Sequence, residues 1–87
     1  MIIQLKVFGE ELTTRDIGAI IRKQIQEHIN NGSDIIIDLE SINMITHTCA
    51  DEIFGKLAMN NGLCFKIKNA NETTLALIKY VIAQRIK

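Results

Sequence analysis

Hydrophobic and polar positions alternate from the first residues of the chain. Ile3, Leu5 and Val7 fall on one side of a two-residue period, with Gln4 and Lys6 on the other, which predicts a half-buried strand over Ile2 to Phe8. Gly9 to Leu12 reads as a turn. From Thr13 or Thr14, either of which can cap a helix with its hydroxyl, the period lengthens to a helical one that reaches about Asn30. Its apolar stripe is Ile17, Ile20, Ile21, Ile25 and Ile29. Asn31-Gly32 tolerates left-handed backbone and suits a helix end. Ile35, Ile36 and Ile37 then form an unbroken β-branched run, the pattern of a central strand covered on both faces, with Asp38 marking its exit.

A second helical period places Ala50, Ile53, Phe54, Leu57 and Ala58 on one side, with Asp51, Glu52 and Lys56 elsewhere, and it stops at Asn60-Asn61-Gly62. Thr48 stands where the loop becomes this helix. Its hydroxyl can accept from a first-turn N–H, and Asp51 three residues later makes a variant of the capping box. A hydroxyl at a helix start is also a place where phosphate is tolerated, because unpaired N–H groups and the helix dipole favour negative charge. A third strand over Leu63 to Lys68 turns Leu63, Phe65 and Ile67 inward and Lys66 and Lys68 outward, as an exposed or edge strand does. Asn69 or Asn71 caps a last helix carrying Leu75, Ile78, Val81 and Ile82.

The order is β-α-β-α-β-α. Right-handed crossovers between the strands predict a small α/β domain over residues 1–87, with a mainly parallel, three- to four-stranded sheet covered by helices. Three strands leave two edges unpaired, and the first strand has no visible cover, so pairing into a homodimer is expected.

Composition narrows the function. At 87 residues the chain buries only about 60–65% of its unfolded surface, enough for one core. Ten basic and ten acidic residues cancel, so no field recruits nucleic acid or an anionic membrane. Phe8, Phe54, Phe65 and Tyr80 are too scattered for base stacking and read as core or rim packing. No signal peptide and no apolar run near the roughly 20 residues of a membrane span are visible, which makes a cytoplasmic location the expectation. Cys49 and Cys64 lack C-x-x-C spacing and sit among apolar residues, so they read as two reduced core thiols. With His28 and His47 they offer no ligand spacing, and neither a metal nor a cofactor is expected.

Candidate chemistry is confined to carboxylates and hydroxyls around the central strand's exit. Asp38, Asp51 and Glu52 could act as paired carboxylates or magnesium ligands at the end of a strand, where α/β sheets bind ligands. A structural role accounts for them better: negative charge in a first helical turn is favourable by about 0.3–1 kcal/mol, and Asp38 can cap loop backbone. No nucleophile triad, phosphate loop or metal motif accompanies them, so the chain does not read as an enzyme. Arg15, at the start of the first helix, is placed to pair with a carboxylate of the second.

Asp38-Leu39, Ile42 and Met44-Ile45, followed by Thr46-His47-Thr48-Cys49, resemble the strand–loop–helix of STAS domains, the fold of bacterial anti-sigma-factor antagonists. In that family the motif runs Asp-Leu, a Val after two residues, and Asp-Ser-Ser/Thr-Gly after three more. The second hydroxyl of the last group is phosphorylated by a partner kinase, and it falls here on Thr48. Thr46 stands for the usual Asp and Cys49 for the usual Gly. Ala50-Asp51-Glu52, Phe54-Gly55-Lys56-Leu57 and Thr13-Thr14-Arg15 look like the divergent STAS-like branch of bacteria and archaea.

The resemblance implies a regulatory protein-interaction module whose partner is a histidine-kinase-like ATPase or an anti-sigma-like regulator. Thr48 is the phosphoacceptor it implies, and Asp38, Ser41, Asn43, Thr46, His47, Asp51, Glu52 and Arg15 are the residues placed to dock the partner. A second reading stays open, in which the chain is a constitutive homodimeric adaptor and Thr48 only caps its helix. A ligand-binding or catalytic accessory domain is the third.

Overall fold

In the computed structural model, which describes residues 1–86, the first strand is only three residues long. β1 (Ile2–Gln4) is followed by a 3-10 turn over Leu5–Phe8, then β2 (Glu11–Leu12), α1 (Arg15–Asn30), β3 (Ile35–Asp38) and β4 (Met44–Ile45). A long helical segment comes next, made of α2 (His47–Ala50), a π-helical stretch (Asp51–Gly55) and α3 (Lys56–Asn61). β5 (Phe65–Lys68) and α4 (Glu72–Arg85) complete the chain. β1, β3 and β5 form one parallel sheet in that spatial order, with β3 in the middle as its isoleucine run predicts.

The alternation through Phe8 overstates β1, and the reason lies in its partner. Gln4 pairs with Asp38, the last residue of β3, and beyond that point no strand is left to bond. The chain winds into the 3-10 turn instead, burying Leu5 and leaving Val7 exposed. The expected turn before α1 contains β2, which pairs in parallel with β4 through Glu11 with Met44 and Leu12 with Ile45. Two-residue strands are too short to carry a period. Leu63 and Cys64 precede β5 and are exposed, so only Cys49 is a core thiol; burial, and then the charge of Glu52, push its pKa up to about 11.

Three caps are local and form as their residues dictate. Thr14 Oγ1 accepts from Ile17 N–H at 3.2 Å, and Asn71 Oδ1 accepts from Thr74 N–H at 2.8 Å. α1 ends at Asn31 with Gly32 in the left-handed region, where its N–H reaches Ile29 C=O.

The sheet is covered on one face, against the expectation of two. Its strand order runs in a single direction, so two right-handed crossovers deliver both connecting helices to the same side. α1 and α4 flank the middle helix there. Toward this layer point Ile35 and Ile37, which are buried, with Ile3, Phe65 and Ile67 beside them. The Phe54 and Phe65 rings meet at 6.1 Å between centroids. Ile2, Ile36 and Lys66 share the opposite face, where Ile2 and Lys66 are exposed and Ile36 is only partly covered. In α1, Ile21 and Ile25 are buried, whereas Ile20 turns away from the sheet and is exposed.

One-sided coverage predicts unequal costs for the same change at adjacent positions. Ile37→Thr removes buried apolar surface and buries a hydroxyl, costing at least about 2 kcal/mol. Ile36→Thr keeps the β-branch on the open face and costs at most about 1 kcal/mol. Urea unfolding of the two variants measures the difference.

Candidate functional site

The loop after β3 is fixed from both sides by Asp38. Its Oδ1 accepts from Glu40 N–H and from Asn69 Nδ2, each at 2.9 Å, which joins the exits of β3 and β5. The Asn69 bond first, then the Glu40 bond, holds the carboxyl below its ordinary range. Asp38 is buried and unavailable to a partner, contrary to its assignment as a docking residue. Leu39 and Ile42 anchor the loop in the core, and between them Ser41 takes φ 67°, a left-handed conformation uncommon for a residue with a Cβ. Ser41 is exposed. Asn43 is exposed as well, with its Nδ2 donating to Glu10 Oε2 at 3.0 Å.

Thr46, not Thr48, caps the middle helix. Its Oγ1 accepts from Cys49 N–H at 3.3 Å and donates to Thr13 C=O at 3.1 Å, so the starts of α1 and α2 are tied side by side. The second bond decides between the two threonines, and it spans 33 residues, beyond the reach of any local motif. Thr48 lies in the first turn with its side chain exposed and in no hydrogen bond among the described residues. His47, also exposed, stacks obliquely on Tyr80 of α4 at 5.7 Å between centroids.

Asp51 and Glu52 point into the helix layer from the π-helical stretch, in opposite directions. Glu52 is 2% exposed and meets three cations: Arg15 Nη1 at 3.0 Å, Arg22 Nη2 at 3.2 Å and Lys56 Nζ at 3.0 Å. Burial pushes its pKa up, but Lys56, Arg15 and Arg22 outweigh that and hold it below the usual value. Asp51 receives a two-pronged bond from Arg85 of α4, at 3.0 and 2.6 Å, which lowers its pKa. Two glycines make room. A Cβ on Gly18 would stand 2.9 Å from Glu52 Cβ, and one on Gly55 would collide with the Asp51 carboxylate.

Of the expected docking residues, Ser41, Asn43 and His47 therefore lie on the surface, as does Thr48, the expected phosphoacceptor. Thr46 is a half-buried cap; Arg15 is exposed and pairs with the buried Glu52, and Asp51 pairs with Arg85 of α4. Sequence reasoning missed Arg22, Lys56 and Arg85, which complete the ion pairs. It also missed Met44, Leu77 and Tyr80, which border the loop. The available signal was a glycine inside each of two otherwise regular helical periods, a mark of close approach. Asn43, Met44 and Ile45 with Thr73, Thr74 and Leu77 line a groove of about 510 Å³ between the loop and α4. Among the described residues no group of three or more His, Cys, Asp or Glu could hold a metal ion, and no helix is long and apolar enough to cross a membrane.

Two measurements check this geometry. Thr46→Ala is expected to cost about 0.5–2 kcal/mol as a lost cap, and Thr48→Ala to stay within about 0.5 kcal/mol of wild type. Asp38, Asp51 and Glu52 all have depressed pKa values, so their contribution is present above the unfolded values of about 3.9–4.3 and is lost as pH falls through the lower folded ones. Denaturant midpoints should fall steeply below about pH 4. Glu52→Gln flattens that acid limb and, since two of the three cations keep access to water, costs at or below the low end of the roughly 3–5 kcal/mol for a broken buried pair.

Comparison with known proteins gives one match. A family model described as a STAS-like domain of unknown function (DUF4325) covers residues 18–75, from the glycine of α1 that packs on Glu52 into the first turn of α4. No curated protein and no solved structure matches the chain. The matched span holds the central strand, the Asp38 loop and the whole middle helix, more than half of the sequence, and the chain belongs to this STAS-like family.

Proposed function

We propose that the chain is a regulatory protein-interaction module that docks a partner through the β3–α2 loop and is switched by phosphorylation at Thr48. One observation carries the reading: Thr46 does the capping, so the Thr48 hydroxyl is left exposed at the start of the middle helix. Beside it, Met44 is 45% and Tyr80 53% exposed, the most exposed large apolar side chains near the loop, with His47 lying against the tyrosine. Exposed apolar side chains beside a groove lined by Met44, Ile45 and Leu77 together with Asn43, Thr73 and Thr74 suit a protein partner.

The charge logic differs from that of free carboxylates beside the hydroxyl. Asp51 and Glu52 are already met by four cations, so a phosphate of about −1.5 to −2 charges becomes the dominant charge on this surface. A docking face that is nearly neutral before modification loses its partner after it. The partner class is a histidine-kinase-like ATPase, which also supplies the phosphate, or an anti-sigma-like regulator.

Purified chain incubated with a histidine-kinase-like ATPase from the same genome and radiolabelled ATP tests the reading. Label is expected on the wild type and absent from Thr48→Ala. Thr48→Asp should remain folded while its affinity for the ATPase or regulator drops by at least about tenfold, or 1.4 kcal/mol. No transfer from any such ATPase, together with unchanged affinity of Thr48→Asp, would leave a constitutive adaptor.

A further inference from the structure

The β1 side of the molecule carries exposed apolar side chains along a groove with no Lys, Arg, Asp or Glu in its lining, and the Met1 ammonium at its end donates to Asp34 C=O. Ile36 N–H donates to Met1 C=O at 2.9 Å, which sets the phase of the parallel ladder. Alternate residues of such a strand turn both backbone groups to the same neighbour, so Ile3 bonds to β3 while Ile2 and Gln4 face outward. The opposite edge, β5, carries Lys66 and Lys68, the usual guard against strand addition. β1 has no such guard.

Above this edge runs one flank of α1. A groove of about 490 Å³ lies between them, lined by Met1, Ile2, Val7 and Phe8 on one side and by Gln24 and His28 of α1 on the other. Ile20 continues the Gln24–His28 row one turn earlier. It is 50% exposed, Ile2 is 51% exposed, and Met1 and Val7 are more so. Ile2 on the open face of the sheet, with Met1, Val7 and Ile20 near the groove, exposes apolar surface on the order of several hundred Å² around the β1 edge, comparable to the largest patch of a typical monomer, which is often functional.

We propose that this side binds a second copy of the chain, edge to edge, in a two-fold symmetric dimer. The register that uses the outward groups places Ile3 on the axis. Gln4 N–H of each protomer then donates to Ile2 C=O of its partner, and the sheet becomes six-stranded. Ile2 and Gln4 point to the same face, so this register keeps both helix layers on one side and brings the two α1 flanks together; a slip of one residue would set them on opposite sides.

Charge selects the occupant. Ten Lys or Arg and ten Asp or Glu are spread over 87 residues, yet none of their side chains lines this groove. A surface that meets its own copy faces its own charges, and here the side chains bring no like charges together while the Met1 ammonium is held on Asp34 C=O. The area per copy, on the order of several hundred Å² of side chains plus the strand backbone, approaches the roughly 800 Å² per partner of a standard interface. This surface lies across the middle helix from α4 and stands independently of the Thr48 switch.

Sedimentation equilibrium of the full chain across the micromolar range is expected to show a dimer. Ile20→Lys and Ile2→Lys, both at exposed positions, should each shift the mass to monomer while far-UV circular dichroism stays unchanged. In a Cys64→Ser background, Ile3→Cys should form a disulfide-linked dimer on mild oxidation. A monomer at every concentration, as expected if the edge instead takes a strand from another protein, overturns the proposal. So does a dimer that survives both lysine substitutions.

Discussion

One buried carboxylate organises the helix layer. Glu52 sits where α1 crosses the middle helix at Gly18, and three cations from two helices converge on it. Removing a carboxylate from water is costly, and apolar packing of the same volume often does as well for stability. The ion pairs add geometry. Arg15 and Arg22 lie on α1 seven residues apart and reach the same carboxylate from two turns, so sliding or rotating α1 against the middle helix would break one of them. Asp51 with Arg85 does the same for α4, and together the two acids set both outer helices against the central one.

Both acids lie in the π-helical stretch. Successive residues Asp51 and Glu52 must address helices on opposite sides, and the turn that carries them also contains Gly55, without a side chain to displace the Asp51 carboxylate. π-helical turns are uncommon and tend to persist where they position functional groups. Here the group positioned is structural. The two acids that looked available to a partner are consumed inside the layer, which moves the candidate docking surface toward Ser41, Met44, His47, Thr48 and Tyr80.

What was legible in the residues was what is decided within a few residues. The caps of α1 and α4, each narrowed to two neighbouring candidates, the stop at Asn31-Gly32 and the central β3 all follow from local chemistry and period. The Thr46 cap was not legible, because Thr46 and Thr48 both fit a helix start and a bond to Thr13, 33 residues away, chooses between them. The burial of Glu52 is likewise non-local: a carboxylate in a helix's first turns reads as solvated until its partners are located in space. The isoleucine run of β3 misled in a different way. Ile36 is β-branched like its neighbours, but strand order and crossover hand, not side-chain type, determine which faces are covered.

The same topology explains why the proposed modification at Thr48 and the proposed association at β1 need not interfere. In a parallel sheet with its helices on one face, every helix that follows a strand starts at the strands' carboxyl ends, so Thr14, Thr46 and Asn71 cap three helices at one end of the molecule. A charge added at that end meets helix dipoles and paired acids, not the core. The β1 edge lies to the side, where the bonding ladder runs out three residues into the chain. With two short strands at the periphery and one face bare, a domain of this size has little spare burial. In the proposed dimer the additional burial comes at that edge, away from the helix starts where the proposed phosphate would sit.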